Sequence, residues 1–351
     1  MKKITVLIVD DSALIREMFT HMLSRAPDIE VLDTAGDPYD AREKIKRLNP
    51  DVLTLDIEMP KMDGISFLEK IMTLRPMPVI MASSLTQKGA DATLYALELG
   101  AFDTIAKPAD QQTPETLALL EGELIAKVRA AAAANIRARP ADAINQPDTV
   151  RYRPHVGAPH LIAIGASTGG VEALREIFLR LPDNAPPIVV TQHMPEGFTH
   201  SFAMRMNTIS SVTVAEATHN QRLQSGHAYI APGGRHLKVM RMGADLVCRL
   251  DDGPAVSGHR PSVDVLFESV AIAAGHHAVG VILTGMGKDG AFGLKMMRDK
   301  GAITIGQDQN TCVVYGMPQA AMKLGAVGEE SPLPAMAGTI LHHCEQHRGA
   351  V

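Results

Sequence analysis

A serine flanked by glycines directly follows an apolar stretch in the second half of the chain. Leu161 to Ile164 have strand character, Gly165-Ala-Ser-Thr-Gly169 is a turn of small residues, and Val171 to Leu181 have helical apolar spacing. This spacing is typical of the G-x-S-x-G elbow, in which small residues let the backbone turn sharply and expose the hydroxyl of Ser167 near a helix N-terminus. A phosphate-binding loop or an ordinary strand-to-helix turn has a similar composition, so the motif alone leaves these alternatives open.

A nucleophilic serine needs a base and an orienting acid, and candidates for both follow other apolar runs. His193 comes just after the run that begins at Ile188, and Asp289 lies in a glycine-rich turn after the run that begins at Val279. Because the carboxyl ends of parallel strands meet at one edge of a sheet, we expect these loops to converge. An imidazole can take the serine proton while a carboxylate holds the imidazole in the right tautomer. The sequence therefore predicts a serine nucleophile, Ser167, with His193 as its base and Asp289 as the acid.

The first half of the chain carries a second group of polar residues at strand ends. Asp10 and Asp11 follow the first apolar run, Asp56 the third, Ser83 the fourth and Lys107 the fifth. Crowded carboxylates repel one another unless a cation is present, and hard oxygen ligands suit Mg²⁺. We therefore predict a magnesium site formed by the three aspartates, in which Asp56 accepts a phosphoryl group and Lys107 contacts its oxygens. Taken singly, each acid could equally be a helix cap or a solvated charge.

Length and composition indicate an ordinary two-domain globular protein. The 351 residues suffice for two cores, and a net charge of −5 gives no indication of a nucleic-acid partner. The N-terminus has no signal-peptide core and no apolar run approaches the length of a bilayer span, so we expect a protein that is not embedded in a membrane. Cys248, Cys312 and Cys344 are widely spaced and form no CxxC motif, which favours a reducing compartment. We expect a cytoplasmic monomer.

Apolar runs alternate with amphipathic segments in both halves, which predicts α/β folds. The first half has five strand-and-helix pairs and is expected to form a doubly wound, five-stranded parallel sheet of the flavodoxin-like type. The second half is expected to form a mainly parallel sheet, interrupted by a hairpin around Gly243. An alanine-rich stretch followed by prolines predicts a helical extension and a linker between them. The predicted divisions are residues 1–122, 123–157 and 158–351.

The first half resembles the receiver domain of response regulators over most of its length. The resemblance is carried by Val6-Leu-Ile-Val-Asp-Asp-Ser12, Asp56-Ile-Glu-Met-Pro-Lys-Met-Asp-Gly64 and Ala106-Lys-Pro108. It implies a two-component signalling protein that is phosphorylated at Asp56 with Mg²⁺ as cofactor. A chemotaxis histidine kinase would then be the phosphodonor, and Ser83 would hold the switch hydroxyl position.

The second half is similar to the catalytic domain of the CheB-type chemotaxis protein-glutamate methylesterases. The similarity is carried by Ser167-Thr-Gly-Gly170, Gln192-His-Met-Pro195, Ala231-Pro-Gly-Gly234, Arg260-Pro-Ser-Val-Asp-Val-Leu-Phe267, Leu283-Thr-Gly-Met-Gly-Lys-Asp-Gly290 and Cys312-Val-Val-Tyr-Gly-Met-Pro318. It implies a hydrolase that releases methanol from glutamate methyl esters of chemoreceptors without a cofactor for that step, and that also deamidates receptor glutamines. The same triad roles follow for Ser167, His193 and Asp289. Lys288 departs from the acidic residue common in the family, and we expect changed local charge without loss of catalysis.

Attack on an ester carbonyl creates an oxyanion, which needs backbone N–H donors nearby. The candidates are the glycine-rich turn around Met286 and the start of the helix after Thr168. Two complete constellations joined by a flexible linker further predict that phosphorylation of Asp56 activates the Ser167 site by shifting how one domain covers the other.

An alternative function is a receiver-coupled module that binds a ligand or a protein without catalysis, which a glycine-rich loop permits. Against it, Gly165 to Gly170 lack the G-x-G-x-x-G spacing, and no Lys-Ser/Thr pair follows as in a P-loop. A DNA-binding output domain has even less support, because the second half shows no basic stripe and no helix-turn-helix unit. His236 and His259, like other scattered histidines, are interpreted as core or surface residues because they lack ligand spacing.

Overall fold

The chain forms two compact units, residues 1–143 and 144–351. No helix in the described part of the chain is long and apolar enough to cross a membrane. Within the predicted extension and linker, 123–157, residues 135–148 and 154–157 lie outside the described residues. The computed structural model describes residues 2–84, 87–108, 113–134, 149–153 and 160–345.

Strands and helices alternate through the first unit. Its strands are β1 (Ile4–Val9), β2 (Ile29–Ala35), β3 (Val52–Asp56), β4 (Val79–Ser83) and β5 (Asp103–Ala106). Its helices are α1 (Ala13–Ser24), α2 (Pro38–Leu48), α3 (Gly64–Leu74), α4 (Gln87–Glu98) and α5 (Pro114–Ala133). The strands are parallel and pair in the order β2-β1-β3-β4-β5, which confirms the predicted doubly wound sheet.

The strand order of this unit creates a crevice at the carboxyl ends of β1 and β3. The chain leaves β1 to form β2 on one side and returns to form β3 on the other, and such a switch point is where doubly wound sheets bind ligands. Leu7 and Leu53 are fully buried because helices cover both faces of the sheet. Asp10 follows β1 directly and Asp56 ends β3, so both carboxylates lie at the switch point.

The second unit also alternates strands with helices and contains one hairpin. Its strands are β6 (Leu161–Ala166), β7 (Ile188–Gln192), β8 (Thr213–Glu216), β9 (His227–Ile230), β10 (His236–Met242), β11 (Asp245–Asp251), β12 (Ala278–Ile282), β13 (Ile303–Gln307) and β14 (Glu329–Ser331). Its helices are α6 (Gly170–Phe178), α7 (Phe198–Ile209), α8 (Val263–Ala273), α9 (Ala291–Asp299), α10 (Met317–Lys323) and α11 (Leu333–Glu345), with a 3-10 turn at Gly275–His277.

Seven strands of the second unit form one parallel sheet in the order β14-β13-β12-β6-β7-β9-β8, and β10 pairs with β11 antiparallel. The predicted mainly parallel sheet and the hairpin around Gly243 are therefore confirmed. The prediction missed β14, because Glu329 and Glu330 are exposed and give no apolar signal. The switch point of this sheet lies between β6 and β12, because the chain leaves β6 to form β7 on one side and later forms β12 on the other.

Close packing of α8 against β6 sets the geometry of that edge. A Cβ atom on Gly165 would lie 2.1 Å from Val263 Cγ1, so only glycine permits this approach of the helix to the strand. Ser262 caps α8, because its hydroxyl accepts a hydrogen bond from the Val265 amide. The start of α8 is thereby fixed beside the carboxyl end of β6.

Candidate active site

Ser167 lies on the turn between β6 and α6 and is half-buried. Its amide donates to the carbonyl of Thr284 at 3.1 Å, and its own carbonyl accepts from the Gly170 amide at 2.7 Å. Gly169 adopts a φ of 77°, which lets the chain enter α6 directly after the serine. The Gln192 side chain donates to the Ser167 carbonyl at 2.9 Å and so ties this turn to the end of β7.

His193 follows β7 on the strand next to that of the serine. Its amide donates to the Ala166 carbonyl at 3.1 Å, which extends the pairing of β7 with β6 by one residue. The imidazole is only 7% exposed, and its Nε2 lies 2.8 Å from Asp289 Oδ2. Nδ1 is buried and has no hydrogen-bond partner among the described residues.

Asp289 is buried in a ring of hydrogen-bond donors. The Ser262 hydroxyl donates to its Oδ1 at 2.8 Å, the Val263 amide to its Oδ2 at 2.7 Å and the Asp264 amide to its Oδ1 at 3.1 Å. Burial opposes the charge of this carboxylate, but the hydrogen bond and charge interaction with His193 and the donors of α8 lower its pKa to about 2. Asp289 is therefore ionised at neutral pH.

An ionised Asp289 determines the tautomer of His193. A carboxylate can only accept hydrogen bonds, so Nε2 carries the proton in the 2.8 Å contact and Nδ1 is left as the basic nitrogen. The structure thus joins two members of the predicted triad directly. It brings Ser167 to the adjacent strand end without a hydrogen bond to His193. Such bonds are often long in a free enzyme and shorten when substrate binds.

The buried Thr284 links the turn after Ser167 to the loop that contains Val314. The Thr284 hydroxyl donates to the Thr168 carbonyl and accepts from the Val314 amide, both at 3.0 Å. The Met286 amide has no hydrogen-bond acceptor among the described residues. An amide that donates to an oxyanion must be available in this way. Lys288 is exposed on the same loop as Met286.

Sequence reasoning missed several residues around the triad. His236 is buried as expected of a core residue, and its Nδ1 accepts from the Ser262 amide at 3.1 Å while Nε2 bonds the Pro254 carbonyl at 2.9 Å. His259, interpreted as a core or surface residue, is half-buried, and its ring stacks on that of His193, a contact that the sequence did not indicate. Ser262 lies in the Arg260–Phe267 motif, whose pattern gave no indication of a contact to Asp289.

The first unit holds its predicted residues around Lys107. The ammonium nitrogen lies 2.8 Å from Asp10 Oδ2 and 2.7 Å from Asp56 Oδ1. Burial raises the pKa of Asp56 to about 6 in spite of this lysine, and the nearby charge of Asp10 adds to the rise. Burial likewise raises the pKa of Asp10. The two carboxylates therefore carry more negative charge than one lysine stabilises.

The same site fits a divalent cation. Oxygen atoms of Asp10, Asp11 and Asp56 lie within 4.8 Å of one another. Asp56 Oδ2 is buried and has no hydrogen-bond partner among the described residues, and a bound cation would satisfy it. A cavity of about 240 Å³ opens beside these residues and is also lined by Ser83 and Lys107. Buried, crowded carboxylate oxygens are the donor set that Mg²⁺ prefers.

Ser83 lines this cavity with its hydroxyl engaged in hydrogen bonds. It lies 3.2 Å from the Ser84 carbonyl, and the buried Thr93 hydroxyl donates to it at 2.7 Å. The hydroxyl therefore has a defined set of partners within the first unit.

Comparisons with known proteins find relatives along nearly the whole chain. The family model "CheB methylesterase" matches residues 162–340, and the model "Response regulator receiver domain" matches residues 6–117. A protein-glutamate methylesterase/protein-glutamine glutaminase 2 of Bordetella avium is 54% identical over 97% of both chains. A protein-glutamate methylesterase/protein-glutamine glutaminase 1 of Caulobacter vibrioides is 56% identical over 97% of this chain and 98% of its own.

A solved structure agrees with these matches. The crystal structure of the Thermotoga maritima CheB methylesterase catalytic domain is 37% identical, with a TM-score of 0.52, and covers 53% of this chain and 98% of its own.

Proposed function

The chain belongs to the CheB methylesterase family with a response-regulator receiver domain, and we propose on that premise how its residues perform the family's reaction. It is a protein-glutamate methylesterase and protein-glutamine glutaminase, as its relatives are named. One observation supports the assignment of the chemistry most strongly. His193 is hydrogen-bonded to an ionised Asp289 at the same sheet edge at which Ser167 follows the neighbouring strand β6.

We propose that Ser167 attacks the γ-carbonyl carbon of a methylated glutamate on a chemoreceptor. His193 Nδ1 accepts the hydroxyl proton, and Asp289 stabilises the imidazolium that results. The tetrahedral oxyanion accepts hydrogen bonds from backbone amides, for which Met286 and Thr168 are the candidates. When the intermediate collapses, the imidazolium gives its proton to the leaving oxygen, and methanol departs from an acyl-serine.

Hydrolysis of the acyl-serine repeats these steps with water. His193 takes a proton from water, which attacks the ester carbon, and the Ser167 oxygen leaves with that proton. The products are free serine and a glutamate carboxylate. A receptor glutamine follows the same route with ammonia as the leaving group. Neither step requires a cofactor in this proposal.

We propose that Asp56 is the phosphoacceptor of the receiver domain. A receiver domain uses a divalent metal for phosphorylation, and here Asp10, Asp11 and Asp56 would hold Mg²⁺. The metal would neutralise charge on the phosphoryl oxygens. Lys107, which lies beside Asp10 and Asp56, would contact the same oxygens. A chemotaxis histidine kinase would supply the phosphoryl group, and phosphorylation would raise esterase activity. We further propose that the protein is a cytoplasmic monomer that binds no nucleic acid.

The alternative of a binding module without catalysis has less support than hydrolysis. Its main argument was the glycine-rich loop before α6, but this loop lies beside a bonded His193–Asp289 pair. Nucleophilic catalysis needs a carboxylate that orients the imidazole, whereas binding of a ligand or a protein does not require one.

Methanol release from methylated receptor membranes tests the proposed function. We expect release by the full chain to rise with a small-molecule phosphodonor and Mg²⁺. Ser167→Ala should release no methanol above background, and Asp56→Asn should retain basal release without a response to phosphodonor. Equal release by the wild-type protein and Ser167→Ala would rule out the serine as nucleophile.

A further inference from the structure

His259 stacks face to face on the imidazole of His193. The ring centroids are 3.7 Å apart and the ring planes differ by 10°. Asp289 holds one edge of the His193 ring through Nε2. A single hydrogen bond along one edge leaves the tilt of the ring plane unconstrained, and a flat neighbour in contact with the face constrains it. His259 therefore restrains the degree of freedom that Asp289 does not.

A short turn fixes the position of His259. The amides and carbonyls of Val256 and His259 bond each other at 3.0 and 2.9 Å, and the two residues between them, Ser257 and Gly258, have φ angles of 53° and 81°. Two consecutive positive φ values define the tight hairpin turn of type I′. The next residue is also anchored, because Arg260 donates to the Asp252 carbonyl at 3.2 Å and its own carbonyl accepts from Gly234 at 3.1 Å.

The same stretch of chain also reaches the triad acid. Ser262 follows His259 by three residues and donates to Asp289 Oδ1 at 2.8 Å. The segment 256–262 therefore contacts the base through His259 and the acid through Ser262. A segment that touches both members can set their relative orientation, and catalytic groups must be held within a fraction of an ångström of their productive geometry.

We propose that His259 is a positioning residue for ester hydrolysis: its ring sets the plane of the His193 imidazole so that Nδ1 faces the Ser167 hydroxyl. This inference rests on the proposed function. Contacts between flat rings have measurable coupling energies. If the energy of this contact is lost in the transition state, kcat falls by about 2- to 10-fold. The ring contacts His193 through its face, so we expect its flat shape to carry the effect.

Ring shape is tested by three substitutions at the same position in the full-length protein. We expect His259→Ala and His259→Leu to lower kcat for methanol release by about 2- to 10-fold with little change in KM. His259→Phe, which keeps a flat ring without a titratable nitrogen, should restore at least half of the wild-type kcat. His227→Ala is the matched control, because His227 also stacks on a ring, that of Tyr229, at 6.3 Å in the same unit. It should leave kcat unchanged.

Two outcomes would overturn the inference. If His259→Ala has the wild-type kcat, the stacked ring does not position the base. If Phe is no better than Leu, ring shape is not what matters. Melting temperatures of all variants separate unfolding from mispositioning, because the effect is expected at unchanged thermal stability. Failure of the proposed function would give a different result, because methanol release would then persist in Ser167→Ala.

Discussion

The Ser262 hydroxyl joins two structural roles by donating to Asp289 Oδ1 at 2.8 Å while accepting from the Val265 amide at 3.4 Å. It therefore caps α8 and orients the triad acid at the same time. Hydrogen bonds to charged groups contribute about 1.5–3 kcal/mol, whereas a helix cap contributes about 1 kcal/mol. Loss of this one oxygen should affect both catalysis and stability.

We predict that Ser262→Ala lowers kcat for methanol release by about 10- to 100-fold, since Asp289 loses a hydrogen bond and holds His193 less firmly. Thr113→Ala is the matched control, because Thr113 caps α5 through a comparable 3.3 Å bond to the Thr116 amide. The control should lower stability by about 1 kcal/mol without an effect on kcat. Equal kcat in Ser262→Ala and the wild type would exclude a role for this bond in catalysis.

The stability of the second unit should depend on the protonation of Asp264. This buried side chain accepts from the Gly293 amide at 2.8 Å. Burial and, after it, the charge of Asp289 raise the pKa of Asp264 well above its ordinary value, to about 6. Because the pKa is raised in the folded state, ionised Asp264 lowers the free energy of unfolding, fully so above about pH 6. This loss of stability disappears as the pH falls toward 4.

We therefore predict that Asp264→Asn stabilises the protein at about pH 8, by at most about 3 kcal/mol, and has little effect near pH 4. The asparagine oxygen can still accept from the Gly293 amide, and its NH₂ group removes the repulsion with Asp289. Urea denaturation followed by circular dichroism at both pH values measures the difference. The same gain at both pH values would show that charge is not its cause.

The opposite dependence is expected for the triad acid. The pKa of Asp289 is lowered to about 2 in the folded protein, so its contribution to stability is present above about pH 4 and is lost as the pH falls toward 2. Asp289→Asn should lower kcat by about 10³- to 10⁴-fold, because the amide favours the wrong tautomer of His193. Retention of most of the activity would show that Asp289 does not orient the base.

Gly285 should tolerate no side chain. A Cβ atom there would lie 2.8 Å from Ser167 Cβ and 2.3 Å from Met317 Sδ, so Gly285→Ala must displace the serine. We predict a loss of activity of about 100-fold, in line with the effect of a 1 Å displacement on catalytic groups. Gly338→Ala is the control, because nothing lies within 4 Å of its Cβ position in α11. It should raise stability by about 0.5–1 kcal/mol at full activity. Wild-type activity in Gly285→Ala would show that the serine is not held by this contact.

The sequence predicted those parts of the two sites that follow from strand ends. Ser167, His193, Asp10 and Asp56 each come directly after an apolar run, and the parallel order of the strands brings such positions to one edge. Periodicity thus located these residues without any knowledge of side-chain contacts.

The contacts that the sequence could not predict come from chain segments without apolar periodicity. His259 reaches the site from a tight turn. Ser262 reaches it from a helix cap, a position that a serine commonly occupies without any contact to an active site. The strand of Glu329–Ser331 was missed for a related reason, since an exposed edge strand needs no apolar side chains. Three-dimensional proximity alone identifies such residues.

Covalent labelling by a fluorophosphonate tests the central claim that Ser167 is a nucleophile activated by His193. Intact-mass analysis of the full-length wild-type protein should show one added phosphonyl group, located on the peptide that contains Ser167. Ser167→Ala should remain unlabelled, and His193→Ala should label much more slowly because no base takes the serine proton. Labelling of Ser167→Ala at the wild-type rate, or a wild-type protein that is not labelled at all, would contradict the claim.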